Sequence, residues 1–387
     1  MTVAASTAPP DESRHPAPTR TWALICGGGT AGHVLPAIAI AKALVAQGHS
    51  AETIRFLGAR RGVEGRLVPE AGFQVTLLPG RGLQRRLSLA NVGAAAGLAA
   101  AAWRGLVLVA RQRPAVIVSV GGYASFPGVL GAALLRVPMV VAEQNAAPGA
   151  ANRVAARVAR AAAVSFPGTG LPREVLTGNP VRPEVLAVDR GPAGVEAARR
   201  ELGLPAGDTV VLAFGGSLGA RTINLAVRGL ADRWRSRSGI AIYHVVGTRD
   251  WDQLQEQPFE PVDGGLLYRQ VRYEDRMDQA YAAADVALCR AGASTVAELA
   301  VVGLPSVLVP LPGAPNDHQT ANARALADAG AARVVADADA TAERLARELD
   351  ELMPQAVRDA MTRGAASAAH PEAAAEVAAL VERVSRS

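Results

Sequence analysis

The residues best placed to do chemistry fall in four stretches, and each begins where an apolar run ends. In the first, CGGGTAGHVLPAIAIAKAL from Cys26, three glycines precede Thr30, Ala31, Gly32 and His33, and a helical pattern follows. Glycines let backbone N–H groups come close to an anion, and a helix start adds partial positive charge. A plain tight turn would use the same glycines. No lysine follows, so this is not a Walker loop, and His33 and Pro36 are unexpected in a dinucleotide fingerprint. An imidazole at a strand-to-helix turn faces a cleft and can take a proton from an attacking hydroxyl. His33 is therefore the candidate base, set against the structural role that a lone histidine usually has.

The second stretch, FGGSLGARTIN from Phe214 to Asn224, repeats the strand, glycine, helix order. Ser217 adds a hydroxyl and Arg221 a guanidinium, which suits a diphosphate. An ordinary turn with Arg221 in solvent is the alternative. The third runs from Cys289 to Ala323. Its strand ends at Arg290, small residues follow, and a helix is expected to start near Thr295 with Glu298 in the first turn. A carboxylate there can accept two hydrogen bonds from a ribose diol, or close a capping box with Ser294 or Thr295. Asp317, His318, Gln319 and Asn322 come after the next strand. They can read sugar hydroxyls or simply open a solvated helix.

In the fourth stretch, Gly121, Gly122 and Tyr123 end one strand and Glu143, Gln144 and Asn145 end the next. Two adjacent strand ends of this kind make a pocket floor. The helix from Ala150 carries Asn152, Arg153, Arg157 and Arg160, a basic face. The string Asp337 to Asp339 reads as a loop and helix start rather than a pair of metal carboxylates. No other metal constellation stands out.

These stretches need elements that hold them at one edge. Short apolar runs alternate with Ala-rich helical ones: Thr21 to Cys26, Thr53 to Gly58, Gln74 to Pro79, Ala115 to Val120, Pro138 to Gln144 and Ala161 to Phe166. The alternation restarts with Thr209 to Gly216, Ile240 to Gly247, Leu266 to Val271, Val286 to Gly292 and Pro305 to Leu311. This predicts an α/β chain of two doubly wound parallel sheets with a cleft between them. The Pro- and Gly-rich text from Thr177, TGNPVRPEVLAVDRGPAG, reads as the linker. The expected division is a disordered tail over 1–20, a first domain over 21–183, a second over 184–365, and a C-terminal helix over 366–387.

A length of 387 residues, half of them hydrophobic, also favours two cores. The tail lacks the apolar region of a signal peptide. The longest apolar candidate for a span, Val92 to Ala110, is interrupted by Arg104. Cys26 and Cys289 sit in strand-like runs and read as core residues without a disulfide. The net charge of +5 comes almost wholly from arginine, with Lys42 the lone lysine. That bias fits a GC-rich genome, and the excess suits anionic partners. No acidic residue ends the second strand, which speaks against a dinucleotide oxidoreductase.

In order along the chain, GGGTAGHVLP, GGYASFPG, EQNAAPGAANR, GNPVRPEV, GGSLGARTIN, CRAGASTVAELAVVGLPSVLVP and DHQTANA resemble one family. It is the MurG-type UDP-N-acetylglucosamine:N-acetylmuramyl-(pentapeptide) pyrophosphoryl-undecaprenol N-acetylglucosaminyltransferases. The resemblance runs from about Trp22 to Val335. It implies a GT-B glycosyltransferase fold of two Rossmann-like domains, with the C-terminal helix packing back on the first. It implies inverting transfer of N-acetylglucosamine from UDP-N-acetylglucosamine to the 4-hydroxyl of an undecaprenyl-diphosphate-linked muramyl-pentapeptide. No cofactor and no protein-held metal are expected, and no nucleic acid.

By matching motif position, the resemblance makes His33 the base. Thr30, Ala31 and Gly32 would face the acceptor diphosphate. Ser217 would contact the donor phosphate, and Glu298 the ribose. Ala293, Ser294, Thr295, Val296 and Ala297 would form the nucleotide loop and helix start. Gln319 and Asn145 would touch sugar, and Arg182 would serve the donor at the hinge. Tyr273 and Glu274 would offer backbone to the uracil. The family text has glycine where this chain has Ala31, which is tolerated if φ there is negative. A lipid-borne acceptor also implies a peripheral place on the cytoplasmic face of a bacterial membrane and a cell-wall synthesis complex. The segment from Arg85, Arg86 and Leu87 through Trp103 and Leu106, with Arg136 and Arg153, would supply a basic and apolar patch for anionic lipid. Another GT-B transferase with a different acceptor, a sugar-nucleotide epimerase and a non-catalytic scaffold are the rival readings.

Overall fold

The computed structural model describes residues 20–79, 89–216, 218–256 and 258–386. Ser217, Arg85, Arg86, Leu87 and the first nineteen residues therefore lie outside the described residues. The first half alternates β1 (Ala23–Gly27), α1 (Ala31–Ala46), β2 (Ile54–Ala59), α2 (Glu64–Glu70), β3 (Gln74–Leu78), α3 (Leu89–Gln112), β4 (Val116–Gly121), α4 (Phe126–Leu135), β5 (Met139–Glu143), α5 (Ala150–Val158), β6 (Ala161–Val164) and β7 (Glu174–Leu176). Strands β4 and β5 are buried along their whole length. Helices cover both faces, so these strands read as unbroken apolar runs rather than alternating ones. The sheet is parallel, in the order β3-β2-β1-β4-β5-β6-β7. The order turns back between β1 and β4, so the loops after these two strands open on one crevice.

Two helices follow, α6 (Pro183–Leu186) and α7 (Pro192–Leu202). The pattern then restarts with β8 (Thr209–Phe214), α8 (Arg221–Arg233), β9 (Ile240–Val245), α9 (Trp251–Gln255), β10 (Leu267–Val271), α10 (Met277–Ala283), β11 (Val286–Cys289), α11 (Ala293–Val302), β12 (Ser306–Leu308), α12 (His318–Asp328) and β13 (Ala332–Val334). This sheet, β10-β9-β8-β11-β12-β13, is also parallel and turns back between β8 and β11. Helices α13 (Ala342–Asp350), α14 (Gln355–Ala368) and α15 (Ala373–Ser385) end the chain.

Strands β7 and β13 were not expected. Each is three residues long, at a sheet edge, and interrupted by charge at Glu174 or Arg333, so neither leaves an apolar signal. The linker text also differs from an exposed tether, since Thr177 to Val181 are all buried. Helix α14 places Met361 and Ala365 in cores of the second unit. The chain then crosses back, and Val377, Ala378, Leu380, Val381 and Val384 of α15 enter the first unit's core beside Val34, Ile40 and Leu44. α1 packs on the sheet and against α15, which lies beside it on the same face, so α1 is apolar on most of its faces. The crossing is close: a Cβ on Gly178, whose φ is +78°, would lie 2.1 Å from the Cβ of His370. Among the described residues no helix is long and apolar enough to cross a membrane.

Candidate active site

The turn from β1 into α1 needs its glycines. Gly27, Gly28 and Gly29 have φ of +139°, +138° and +96°, which side chains rarely adopt. Two of their N–H groups are spent inside the protein: Gly28 donates to Gly121 O at 3.4 Å, and Gly29 to Glu64 Oε1 at 2.8 Å. An anion cradle at this turn is thus confined to the start of α1, where Thr30 lies at the N-cap and Ala31 and Gly32 open the helix. Ala31 is helical, so its methyl sits on ordinary backbone.

His33 is partly exposed, and its Nδ1 lies 3.0 Å from Thr30 Oγ1. Burial pushes its imidazole below the ordinary 6.5. Glu143 and Glu64 act in the opposite sense, and His318 of the second unit adds to the lowering. The candidate base therefore lies where the two units meet.

Glu143 is not a free wall of the pocket. Its Oε1 accepts from the Asn145 backbone N–H at 2.9 Å and from Asn145 Nδ2 at 3.2 Å. Its Oε2 accepts from Gly149 N–H at 3.1 Å and Asn152 Nδ2 at 3.0 Å. One buried carboxylate thus organises the whole turn after β5. Asn152 faces inward, while Arg153, Arg157 and Arg160 are exposed.

Asn145 meets the second unit through Asn322, which is fully buried. Asn322 Nδ2 donates to Asn145 Oδ1 at 3.2 Å and to Ala291 O at 3.2 Å. Its Oδ1 accepts from Ala146 N–H at 2.9 Å. Asn316 Nδ2 adds a bond to Pro148 O at 3.0 Å. Gln319 uses its Oε1 to hold Ala291 N–H at 3.2 Å and Leu311 N–H at 2.9 Å. The strand ends after β11 and β12 are thereby tied together.

Helix α11 starts at Ala293, two residues earlier than expected, so Glu298 falls in its second turn. No capping box forms: the N-cap is Gly292, without a side-chain cap. Glu298 is 7% exposed and takes Arg182 instead. Its Oε1 accepts from Arg182 Nε at 3.1 Å and Nη2 at 3.0 Å, and its Oε2 from Tyr281 Oη at 2.9 Å. Burial works against the charge of Arg182, but Glu298 outweighs it and holds the guanidinium pKa above its ordinary value. The motifs GNPVR and GASTVAE, far apart in the chain, are thus one polar centre. Ser294 Oγ is buried without a hydrogen-bond partner among the described residues. Thr295 and Ala297 are partly exposed, and Val296 is core. Glu274 is not joined to this centre: its carboxylate accepts from Tyr243 Oη at 2.5 Å and Arg276 N–H at 2.8 Å. Asp337 pairs with Arg290 at 2.5 Å and accepts from Thr222 Oγ1 at 3.1 Å, a joint between strand ends and α8.

Two residues of these centres were missed. Tyr281 sits in an apolar helix and reads as core, and Glu64 follows an unremarkable loop. The one hint at Glu64 is the density of glycine around it, at Gly58, Gly62 and Gly65.

Among protein families, the N-terminal domain of glycosyltransferase family 28 matches residues 23–164, and the C-terminal domain of the same family matches residues 210–377. A Nocardia farcinica protein named UDP-N-acetylglucosamine--N-acetylmuramyl-(pentapeptide) pyrophosphoryl-undecaprenol N-acetylglucosamine transferase is 40% identical over 94% of this chain and 96% of its own. A Mycolicibacterium paratuberculosis protein of the same name is 42% identical over 92% of this chain and 86% of its own. The crystal structure of Acinetobacter baumannii MurG superposes with a TM-score of 0.73 at 28% identity, covering 94% of this chain and 99% of that one. With two parallel-sheet units in GT-B arrangement and matches along nearly its whole length, the chain belongs to the MurG-type transferases of glycosyltransferase family 28.

Proposed function

We propose that the protein transfers N-acetylglucosamine from UDP-N-acetylglucosamine to the 4-hydroxyl of a lipid-diphosphate-linked N-acetylmuramyl-pentapeptide, with inversion at the anomeric carbon. The likeness to transferases of that name along nearly the whole chain supports this. The observation that carries the mechanism is the place of His33 in the first turn of α1, partly exposed beside the glycine turn and with its Nδ1 3.0 Å from Thr30 Oγ1. The acceptor oxygen forms its bond to the anomeric carbon as the bond to the UDP phosphate oxygen breaks. His33, neutral at physiological pH, accepts the hydroxyl proton. UDP leaves with the electron pair of the broken bond, and helix starts stabilise its charge.

In this reading Glu298 receives the ribose diol, exchanging part of its bonding to Arg182. Arg182 then remains as a donor for the nucleotide, and Ser217 and the Ala293–Ala297 segment line the diphosphate. Gln319 and Asn145 contact sugar, and the backbone at Glu274 meets the base. The starting reagents separate the outcomes. Purified protein is incubated with labelled UDP-N-acetylglucosamine and a short-chain lipid acceptor analogue, without added metal. Label in the lipid and free UDP are expected; tight donor binding with no transfer would point to another acceptor.

The protein also works at a membrane surface in this reading. Trp103 on α3 is 67% exposed, and Phe126, Leu134 and Leu135 on the adjoining α4 are exposed beside Arg104 and Arg136. Leu106 is partly buried, and Arg153 stands on α5. Apolar side chains dip into the interface and arginines meet anionic head groups. Sedimentation with anionic vesicles is expected to exceed that with neutral ones. Equal sedimentation with both would remove the patch.

A further inference from the structure

Glu64 belongs to none of the motifs used above, yet it lies directly beneath the glycine turn. It opens α2 and is 1% exposed. Its Oε1 accepts from Gly29 N–H at 2.8 Å and Ala59 N–H at 3.3 Å, joining the ends of β1 and β2. Its Oε2 is buried with no hydrogen-bond partner among the described residues. The surrounding backbone is cut to fit it. A Cβ on Gly28 would lie 2.1 Å from Oε1, one on Gly62 1.7 Å from Oε2, and one on Gly58 2.9 Å from Cγ. A carboxylate buried with one bare oxygen costs stability. Filling space does not require that cost, since an apolar side chain could fill it.

We propose that Glu64 is a positioning residue for the transfer: it draws the Gly29 N–H inward, fixes the turn into α1, and places a negative charge beneath His33. The inference rests on the reading of His33 as the base. The same bond decides which N–H groups an acceptor phosphate meets. With Gly28 and Gly29 turned inward, only the first turn of α1 remains for it.

The charged groups that act on His33 come from three elements, Glu143 of β5 most strongly, then His318 of α12 and Glu64 of α2. Glu143 is fully engaged by its own turn. Glu64 is the one of the two carboxylates that also touches the turn carrying His33. Its charge reaches Tyr123 as well, where burial and then Glu64 raise the phenol, against Arg61.

Two variants separate charge from geometry. Glu64→Gln keeps an oxygen for Gly29 and Ala59 but removes the charge. Its kcat is expected to fall by about tenfold or less, because the accepted hydrogen bonds survive while the charge supporting His33 is lost. The His33 imidazole should titrate at lower pH, since a charge favouring the imidazolium is gone. NMR of histidine-labelled protein reads this, with the His33 signal identified by its loss in His33→Gln. Glu64→Ala removes the bonds too. Its kcat should fall on the order of 10²-fold, the cost of a displaced catalytic group, with unchanged affinity for UDP-N-acetylglucosamine. An unmoved His33 titration in Glu64→Gln overturns the proposal, as does wild-type kcat in Glu64→Ala. If Glu64→Ala does not fold, the titration alone decides. If His33→Gln keeps full turnover, the base assignment fails, while the NMR shift still reports whether Glu64 acts on His33.

Discussion

The two glycine turns share a backbone plan but differ in what lies under them. Beneath the β1–α1 turn are buried carboxylates, Glu64 at the glycines and Glu143 two strands away, at the end of β5. Beneath the β8–α8 turn backbone packs on backbone, with a Cβ on Gly219 2.2 Å from Val246 O, and the buried carboxylate there, Asp250, is paired with Arg249. Asn224 locks that turn with Nδ2 bonds to Val246 O at 3.0 Å and Asp250 Oδ2 at 3.1 Å. Its Oδ1 lies 3.1 Å from Nε2 of His244, whose Nδ1 lies 2.8 Å from Tyr268 Oη. Burial pushes His244 down to about 3, so this imidazole stays neutral. The cleft side of the second unit instead carries guanidinium groups, Arg182 on Glu298 and Arg290 on Asp337. On the proposed mechanism, the carboxylates under the first turn support a group that must take up a proton, and Arg182 turns to the departing diphosphate as Glu298 takes the ribose.

Changes on the donor side sharpen this contrast most. Glu298→Ala leaves the Arg182 guanidinium and the Tyr281 hydroxyl without their buried partner and removes the proposed ribose acceptor. Donor affinity should fall about 10²-fold, in line with losing hydrogen bonds to a charged group. Isothermal titration with UDP-N-acetylglucosamine measures it, and a change under twofold would place the ribose elsewhere.

Asn322→Ala cuts the bonds to Asn145 and Ala146 that join the units. A loss of about tenfold in kcat/KM is expected, as for one or two buried hydrogen bonds, with the sheets intact by circular dichroism. Undiminished activity would mean the units are held in register by other contacts.

The smallest effect concerns stability. Neutral His244 has a folded pKa of about 3 against an ordinary 6.5, so between these values the unfolded chain binds more protons. The contribution is complete above 6.5 and declines as pH falls towards 3. The slope approaches about 1.4 kcal/mol per pH unit in that window. Denaturant melts of wild type and His244→Gln should differ by this slope. Parallel pH dependences would show that His244 is solvated or charged in the fold.

Much of this arrangement is legible in the amino-acid order. The glycines of the two turns, at Gly27–Gly29 and at Gly215, Gly216 and Gly219, the candidate base His33 and the carboxylate at Glu298 declare themselves, because backbone geometry dictates residue type and spacing there. Two parallel sheets follow from doubly buried strands. What stays hidden depends on contacts between distant segments. Tyr281 looks like core until Glu298 is seen beside it. Asn322 looks like a helix-start polar residue until the first unit is docked against it. Glu64 has no periodic or motif signal, since its role comes from three glycines brought around it by two different strands. The capping-box alternative for Glu298, with Ser294 or Thr295, does not form because α11 starts at Ala293 with Gly292 at its N-cap, and Arg182, over a hundred residues away, holds the carboxylate.

The division of labour between the units is open to a single split measurement on His33→Ala: single-turnover transfer rate alongside the equilibrium affinity for UDP-N-acetylglucosamine. A rate lowered by about 10²- to 10⁴-fold, the usual contribution of general base catalysis, with donor affinity unchanged, is the predicted result. Near-normal transfer, or a loss explained wholly by weaker donor binding, would contradict it and move the base away from the first glycine turn.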